Sequence, residues 1–452
     1  MVGERWIAGM EADLPGVDAP PHLQQWIKTL PDELCTIANR LCSEGYGVWL
    51  VGGAVRDALQ AKTVENTDID LATSCPPEEM LALFGDRAVP TGVEFGTVTV
   101  KGETQAYEVT TLRSESLYRD GRHPEKVVWG RSLKEDLSRR DFTINSMAVD
   151  VARQQLYDPF EGQSDLEKRC VRAVGEAMQR CEEDALRILR AYRFLSQDAV
   201  SLWSMSPQLR LAVRHHRDRL AMVAVERHWR EIRKVLKNPF SGAIVSMMQD
   251  DGVFPVVFPA SRTIEAPLLR AVDDGHLLNL SPMQRLAVLF IQQPTSTFLE
   301  ELRNLRTSRE EQREAATFHE QLQHLPAPLP ASLRVFSYVL GPSAALHLAA
   351  RKGLAIHGVE LQADTETPVD VVLAAWEALP PRKSPDACLV DGHWLMQRSG
   401  IQQGLRLGRL KNWLHRLQIE HDLVRVEDME RHLSQLPFEH GECEDWPQLE
   451  FP

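Results

Sequence analysis

Residues 47–57 read Gly-Val-Trp-Leu-Val-Gly-Gly-Ala-Val-Arg-Asp, and residues 68–73 read Asp-Ile-Asp-Leu-Ala-Thr. The first stretch predicts a short apolar strand, Gly47 to Val51, a double-glycine turn at Gly52 and Gly53, and a helix from Ala54 to Gln60. Strand, turn and helix in that order present backbone N–H groups at a helix start, where a phosphate can sit. In the second stretch Asp68 and Asp70 are spaced i, i+2. On a strand both side chains leave the same face, a few ångströms apart. Two such carboxylates repel each other without a cation, so the pair suits one or two Mg²⁺. Alone, the spacing more often describes a solvated loop; the preceding glycine turn reverses that in favour of the metal reading. Gly96 to Val100 alternates like a half-buried strand, and Tyr107 to Leu112 repeats the pattern. The first 150 or so residues therefore read as a mixed α+β domain.

Residues 1–22, rich in Gly, Pro and Asp, are expected to be a flexible extension. Residues 23–45 show helical periodicity with a restart at Pro31-Asp32. From about residue 165 the strand signals vanish and helical periodicity takes over. Proline-rich breaks at 325–330 and 379–385 mark candidate boundaries.

Two further clusters bear on chemistry. Residues 139–145, Arg-Arg-Asp-Phe-Thr-Ile-Asn, set two guanidiniums beside a carboxylate and an amide, a set suited to triphosphate oxygens or to a salt-bridged helix start. Asp184 and Arg187 are i, i+3 on a predicted helix, with Arg190 and Arg193 continuing the row. Such a pair is either a surface ion pair or an acceptor–donor edge for a base. Cytosine and adenine offer the matching amine and ring nitrogen; uracil and guanine put a carbonyl where the amine should be.

The chain has 452 residues and a net charge of −13, enough length for two to four domains. Residues 171–236 run against that charge, with 13 Lys and Arg and 8 Asp and Glu, so an RNA partner is permitted. Seven scattered cysteines without a CxxC read as reduced thiols, and no signal peptide or membrane span is expected. His421-Asp422 stands without other spaced His and Asp, and reads as surface.

The ordered set GGAVRD (52–57), DIDLAT (68–73), EVTTLR (108–113), RRDFTINSMA (139–148), EDALRILRAYRF (183–194) and VERHWREIRKVL (225–236) resembles the class II tRNA nucleotidyltransferases, the bacterial-type CCA-adding enzymes, and the bacterial poly(A) polymerases related to them. The clear match covers about residues 45–240; a weaker one reaches 389–396 and 404–411. The resemblance implies a seahorse-like chain. A polymerase-β-like head (23–170) would lead into an all-helical neck that selects the base (171–236), a body (237–325) and a tRNA-binding tail (326–452). It implies Asp68 and Asp70 as catalytic metal ligands for Mg²⁺, with Glu108 as a third carboxylate near them. It also implies that Gly53, Arg56 and Arg140 hold the incoming nucleotide. Asp184 and Arg187 would be the template for CTP and ATP, and Arg190 and Arg193 would complete the pocket. The basic helix from Arg406 to Arg416 would suit the tRNA elbow.

Full CCA addition is the expected activity, in the cytoplasm, with tRNA, CTP and ATP as partners and no DNA or membrane. Ser114 to Pro124 resembles the family's flexible loop, which lets the pocket switch to ATP and is shortened in CC-adding enzymes. Thr91 to Val98 resembles the tRNA enzymes more than the poly(A) polymerases, and the chain end, Glu439 to Asp445, is acidic rather than basic. A-only addition, poly(A) synthesis, CC addition and a non-catalytic RNA-binding protein are the alternatives.

Overall fold

A computed structural model describes residues 5–61, 68–118, 124–361, 367–439 and 441–451, with only the backbone described in 114–118 and 124–128. The chain forms two compact units. Unit one holds residues up to Ile232 together with Asp250–Val257; unit two holds Arg233–Gln249 and everything from Phe258. The expected head lies within unit one, with all but the last few residues of the expected neck.

Unit one is built on an eight-stranded mixed sheet. Its strands are β1 (Val17–Asp18), β2 (Val48–Val51), β3 (Asp70–Thr73), β4 (Ala88–Gly92), β5 (Thr97–Lys101), β6 (Ala106–Thr111), β9 (Ala148–Asp150) and β10 (Gln155–Tyr157). Between β6 and β9 the chain forms a separate antiparallel hairpin, β7 (Arg113–Tyr118) and β8 (Pro124–Trp129). The sheet order is β1-β10-β9-β2-β3-β6-β5-β4, antiparallel throughout except for the parallel pair β3–β6. All four residues of β2 are buried, as befits a central strand flanked by β3 and β9. Trp49 and Val51 pack with Ala72, Leu133, Leu137 and Ala148. The parallel register pairs Leu71 with Val109, which sets Asp70 beside Glu108 one position earlier on each strand.

Around the sheet run helices α1 (Pro21–Thr29), α2 (Asp32–Ser43), α3 (Gly53–Leu59), α4 (Pro77–Phe84), α5 (Leu133–Ser138) and α6 (Gly162–Glu167). The restart at Pro31 is observed: Leu30 is extended, as a residue before proline prefers, and α2 begins directly after. After the sheet come α7 (Ala177–Glu183), α8 (Leu186–Phe194), α9 (Pro207–His216) and α10 (Val225–Leu236).

Three expectations need correction. Residues 5–22 are docked, not a free extension. Trp6 and Ala19 are buried, β1 pairs with β10, and Asn39 accepts a hydrogen bond from the Ile7 N–H at 2.8 Å. Strands do not end at 165: β11 (Cys170–Val171) and β12 (Ser204–Met205) form a parallel pair too short to show alternation. The segment 114–124, expected as a flexible loop, contributes the hairpin strands β7 and β8, and its tip at 119–123 lies outside the described residues.

Unit two is helical. Leu333, Phe336, Leu340, Ala344, Leu348 and Val372 form one of its cores, and Leu395, Leu407, Leu410, Leu414 and Met429 belong to another. Both proline-rich breaks fall inside this unit, with Pro330 opening the helix Pro330–Leu340. The helix Leu405–His421 carries the expected basic stretch, but part of that charge is used internally. Arg406 donates to the Phe438 carbonyl and lies over the Trp446 ring, and Arg416 binds Glu420 and the Gln448 carbonyl. Asp422 caps that helix and accepts from the backbone N–H groups of Lys383 and Ser384. No helix among the described residues is long and apolar enough to cross a membrane.

Candidate active site

A cavity of about 670 Å³ opens in unit one. Gly53, Arg56, Asp70, Arg140, Asp184, Arg187, Arg190 and Arg193 all line it, and so does Glu108. Eight arginines face four carboxylates there, a cationic pocket in an acidic chain.

The lining acids Asp70 and Glu108 sit where β3 and β6 run parallel. Only Asp70 is within β3. Asp68 precedes the ladder and is exposed, so the same-face strand geometry expected for the pair is replaced by one strand residue and one residue of the approach. Burial, then the charge of Glu108, and further the charge of Asp68, push the Asp70 carboxyl up to about 6; Arg140 opposes them. Among the described residues no set of three or more His, Cys, Asp or Glu forms a complete cation cage. The chain thus offers hard oxygen donors that need ligands from elsewhere, such as substrate phosphates and water.

Gly52 links β2 to α3 with φ +75° and ψ −134°, a conformation open in practice to glycine alone. A Cβ there would stand 3.5 Å from both Asp70 Oδ2 and an Arg140 Nη, in the gap between acid and cation. Arg140 and Arg139 are both held by the buried Asp136, through Oδ2 and Oδ1 respectively. Burial works against the Asp136 charge, yet the two guanidiniums keep its carboxyl below the ordinary range. Arg56 is held by Asn145 Oδ1 at 2.6 Å and by Asp57 at 3.0 Å.

A helix break also contributes to the cavity lining. Asp184 does not share a helical face with Arg187: it ends α7 in an extended conformation, and its Oδ1 accepts from the Leu186 N–H at the start of α8. Its ion-pair partner is Arg227 of α10, at 3.4 Å. Arg187 is buried and donates to the carbonyls of Arg180 and Arg139 and to Glu183 Oε2. Three of its five N–H groups are thereby used, and two remain to donate. Neither residue belongs to the simple i, i+3 pair the spacing suggested. Arg190 chelates Asp141, and Arg193 binds Glu231 at 2.9 Å.

Sequence reasoning missed Arg227, Arg113 and Phe194 as cavity residues. Arg227 stood within a quoted motif, Val225 to Leu236, but only the tertiary fold brings it to Asp184.

Carboxylates beside a glycine turn in a nucleotide-sized, arginine-lined cavity define a nucleotidyltransferase. Residues 48–172 match the family described as "Poly A polymerase head domain", and residues 204–263 match "Probable RNA and SrmB- binding site of polymerase A". The CCA-adding enzyme of Lactobacillus johnsonii (strain CNCM I-12250 / La1 / NCC 533) is 33% identical over 404 residues, covering 87% of this chain and 95% of that enzyme. That of Geobacillus thermodenitrificans (strain NG80-2) is 43% identical over 217 residues, 48% of this chain and about half, 52%, of the relative's length. Among solved structures, the Bacillus stearothermophilus CCA-adding enzyme in complex with CTP superposes with a TM-score of 0.69 at 26% identity, covering 92% of this chain and 99% of that one. The Thermotoga maritima CCA-adding enzyme complexed with tRNA shares the fold at a TM-score of 0.64 and 18% identity, over 94% and 99% of the two chains. The chain belongs to the CCA-adding enzyme family.

Proposed function

We propose that this chain adds CCA to the 3′ end of tRNA from CTP and ATP, releasing pyrophosphate. The observation that carries the reading is one cavity lined together by Asp70, Glu108, Asp184, Arg187 and further arginines. Relatives matched along nearly their whole length, and named for this activity, support it.

In this reading Asp68 and Asp70 hold Mg²⁺, with Glu108 beside them. The donor set fits: it is all carboxylate oxygen, and the raised Asp70 carboxyl reflects burial first and then repulsion from Glu108 and Asp68, both of which a divalent cation offsets. When bound, two such ions activate the 3′ hydroxyl and stabilise the departing pyrophosphate. Gly52 and Gly53 keep side chains out of the phosphate path, and Arg56 and Arg140 bind the triphosphate. Asp184 accepts from the exocyclic amine of cytosine or adenine, and the two remaining Arg187 N–H groups donate to the ring edge beside it. UTP and GTP set a carbonyl against the Asp184 carboxylate and are rejected. Arg190 and Arg193 complete the pocket, the hairpin of β7 and β8 serves the switch to ATP, and the enzyme works in the cytoplasm with its tRNA.

The test is to incubate the protein with tRNAs ending before CCA and after CC, with CTP and ATP singly and together, and to sequence the products. Full CCA on the first and a single A on the second are expected. Addition of A alone, of CC alone, or of long A tails assigns the corresponding alternative, and no extension of either tRNA overturns the reading.

A further inference from the structure

Phe194 ends α8 with its ring 3% exposed, wedged edge-on against Phe142 at 5.4 Å and 70°. Three guanidiniums gather over that ring: Arg193 at 4.3 Å, Arg56 at 5.4 Å and Arg190 at 5.7 Å from its centroid. They come from two helices, α3 and α8, and all three line the cavity together with Phe194. Like charges this close repel one another, and burial, then Arg190, press the Arg193 guanidinium below its ordinary range. Each arginine also has an acid: Asp57, Asp141 and Glu231 respectively for Arg56, Arg190 and Arg193.

We infer that Phe194 is a positioning residue for the triphosphate: its ring gathers Arg56, Arg190 and Arg193 into one preset fan. The inference rests on the nucleotide-addition reading above. The physical reason for a ring here is charge. Three acids already pair with the three arginines, so a fourth carboxylate beneath the fan would gather them equally well but turn the cluster net negative toward a polyanion. An aromatic face attracts cations through its quadrupole and carries no net charge, so it orders the donors without adding negative charge. Donors ordered before binding lose less freedom on binding. The triphosphate is common to CTP and ATP, so the ring acts on both nucleotides alike, unlike Asp184.

The test replaces Phe194 with mono-, di- and trifluorinated phenylalanine, which drain the ring's quadrupole stepwise with little change in shape. Equilibrium binding of CTP, ATP and inorganic pyrophosphate should weaken in step, reaching about tenfold for the trifluoro ring. The CTP:ATP ratio and Tm should hold, and kcat with saturating nucleotide should change much less than KM. Phe194→Leu should fall at the far end of the series. Affinity that stays flat across the fluorinated rings of an active enzyme overturns the inference and makes the ring a space-filler. A wild-type protein that extends neither tRNA overturns the addition reading instead, so the two failures are distinct.

Discussion

Asp184 Oδ2 lies 3.4 Å from the Arg227 guanidinium, although 43 residues separate them in sequence. With Oδ1 tied to the Leu186 N–H, both Asp184 oxygens have a fixed direction. A site that aims an acceptor at a substrate amine discriminates strongly against a ligand that lacks it. Asp184→Ala should lower kcat/KM for CTP on the order of 100-fold while the preference for CTP over UTP narrows. Arg227→Ala should act in the same direction but more weakly, about tenfold or less, because about 1.4 kcal/mol of lost positioning is one factor of ten. Arg187→Ala should weaken CTP and ATP alike. Comparing kcat/KM for CTP, ATP and UTP on one tRNA checks all three; an unchanged CTP:UTP ratio in Asp184→Ala would remove this residue from base selection.

The Asp70 carboxyl stands at about 6, above the ordinary carboxylate value near 4. A carboxyl raised on folding costs stability while it is ionised. The cost is present at pH 7 and fades as pH falls from about 6 towards about 4, where protonation removes the charge. Its size is on the order of 1–2 kcal/mol after allowance for solvent. Asp70→Asn should therefore raise Tm by a few degrees in EDTA at pH 7. It should also abolish both nucleotide addition and any gain in Tm from Mg²⁺. Thermal melts with and without Mg²⁺ decide the point; a lower Tm in EDTA contradicts it.

Asp141 shows the opposite sign. Burial pushes its carboxyl up, but the Arg190 guanidinium, the Asn145 amide and the Phe142 N–H outweigh it and hold the group at about 2. A depressed carboxyl contributes stability that is fully present above about pH 4 and lost as pH falls towards about 2. The contribution is on the order of 2 kcal/mol. Denaturant melts from pH 5 to pH 2.5 should show a steeper loss for wild type than for Asp141→Asn, which starts less stable and changes less. Parallel curves would show that this pair does not drive the acid response.

Local signals were legible in the sequence and tertiary ones were not. The strand–glycine–helix turn at 47–57 and the break at Pro31 depend on backbone preferences within a few residues, and both are observed. Arg227 and Phe194 depend on where α10 and α8 pack, which no local pattern encodes. Residues 5–22 read as coil because Gly, Pro and Asp dominate there, yet Trp6 and the backbone ladder of β1 anchor the segment. At Asp184 and Arg187 the helical spacing suggested one continuous face. The chain breaks between α7 and α8 at Asp184 itself, whose side chain bonds to the backbone in the manner that makes Asp favour helix starts.

Besides the ion pairs of Arg190 and Arg193, the helix that carries them is tied to α9 through a buried carboxylate, Asp251. Asp251 has no exposed side-chain surface; its Oδ2 accepts from the Tyr192 hydroxyl of α8 at 2.9 Å. Its Oδ1 takes Arg210 Nε at 2.9 Å and Arg214 Nε at 2.6 Å, both from α9. Burial and the adjacent Asp251 charge drive the Tyr192 hydroxyl far above its ordinary range, so it stays a donor at every working pH. Asp251→Ala removes the common acceptor and leaves two guanidiniums and a buried hydroxyl unmatched. The arginines are one-third to one-half exposed and can turn to water, so the cost should be about 3 kcal/mol, the low end for breaking a buried ion pair. Tyr192→Phe deletes one hydrogen bond to a charged group and keeps both ion pairs, for about 1.5 kcal/mol. Both variants loosen α8, so KM for CTP and ATP should rise together a few-fold while the CTP:UTP ratio holds. Urea melts and nucleotide kinetics on the two variants test this. If Tyr192→Phe costs more stability than Asp251→Ala, the hydroxyl packs α8 by some contact other than Asp251, and the carboxylate is not the tie.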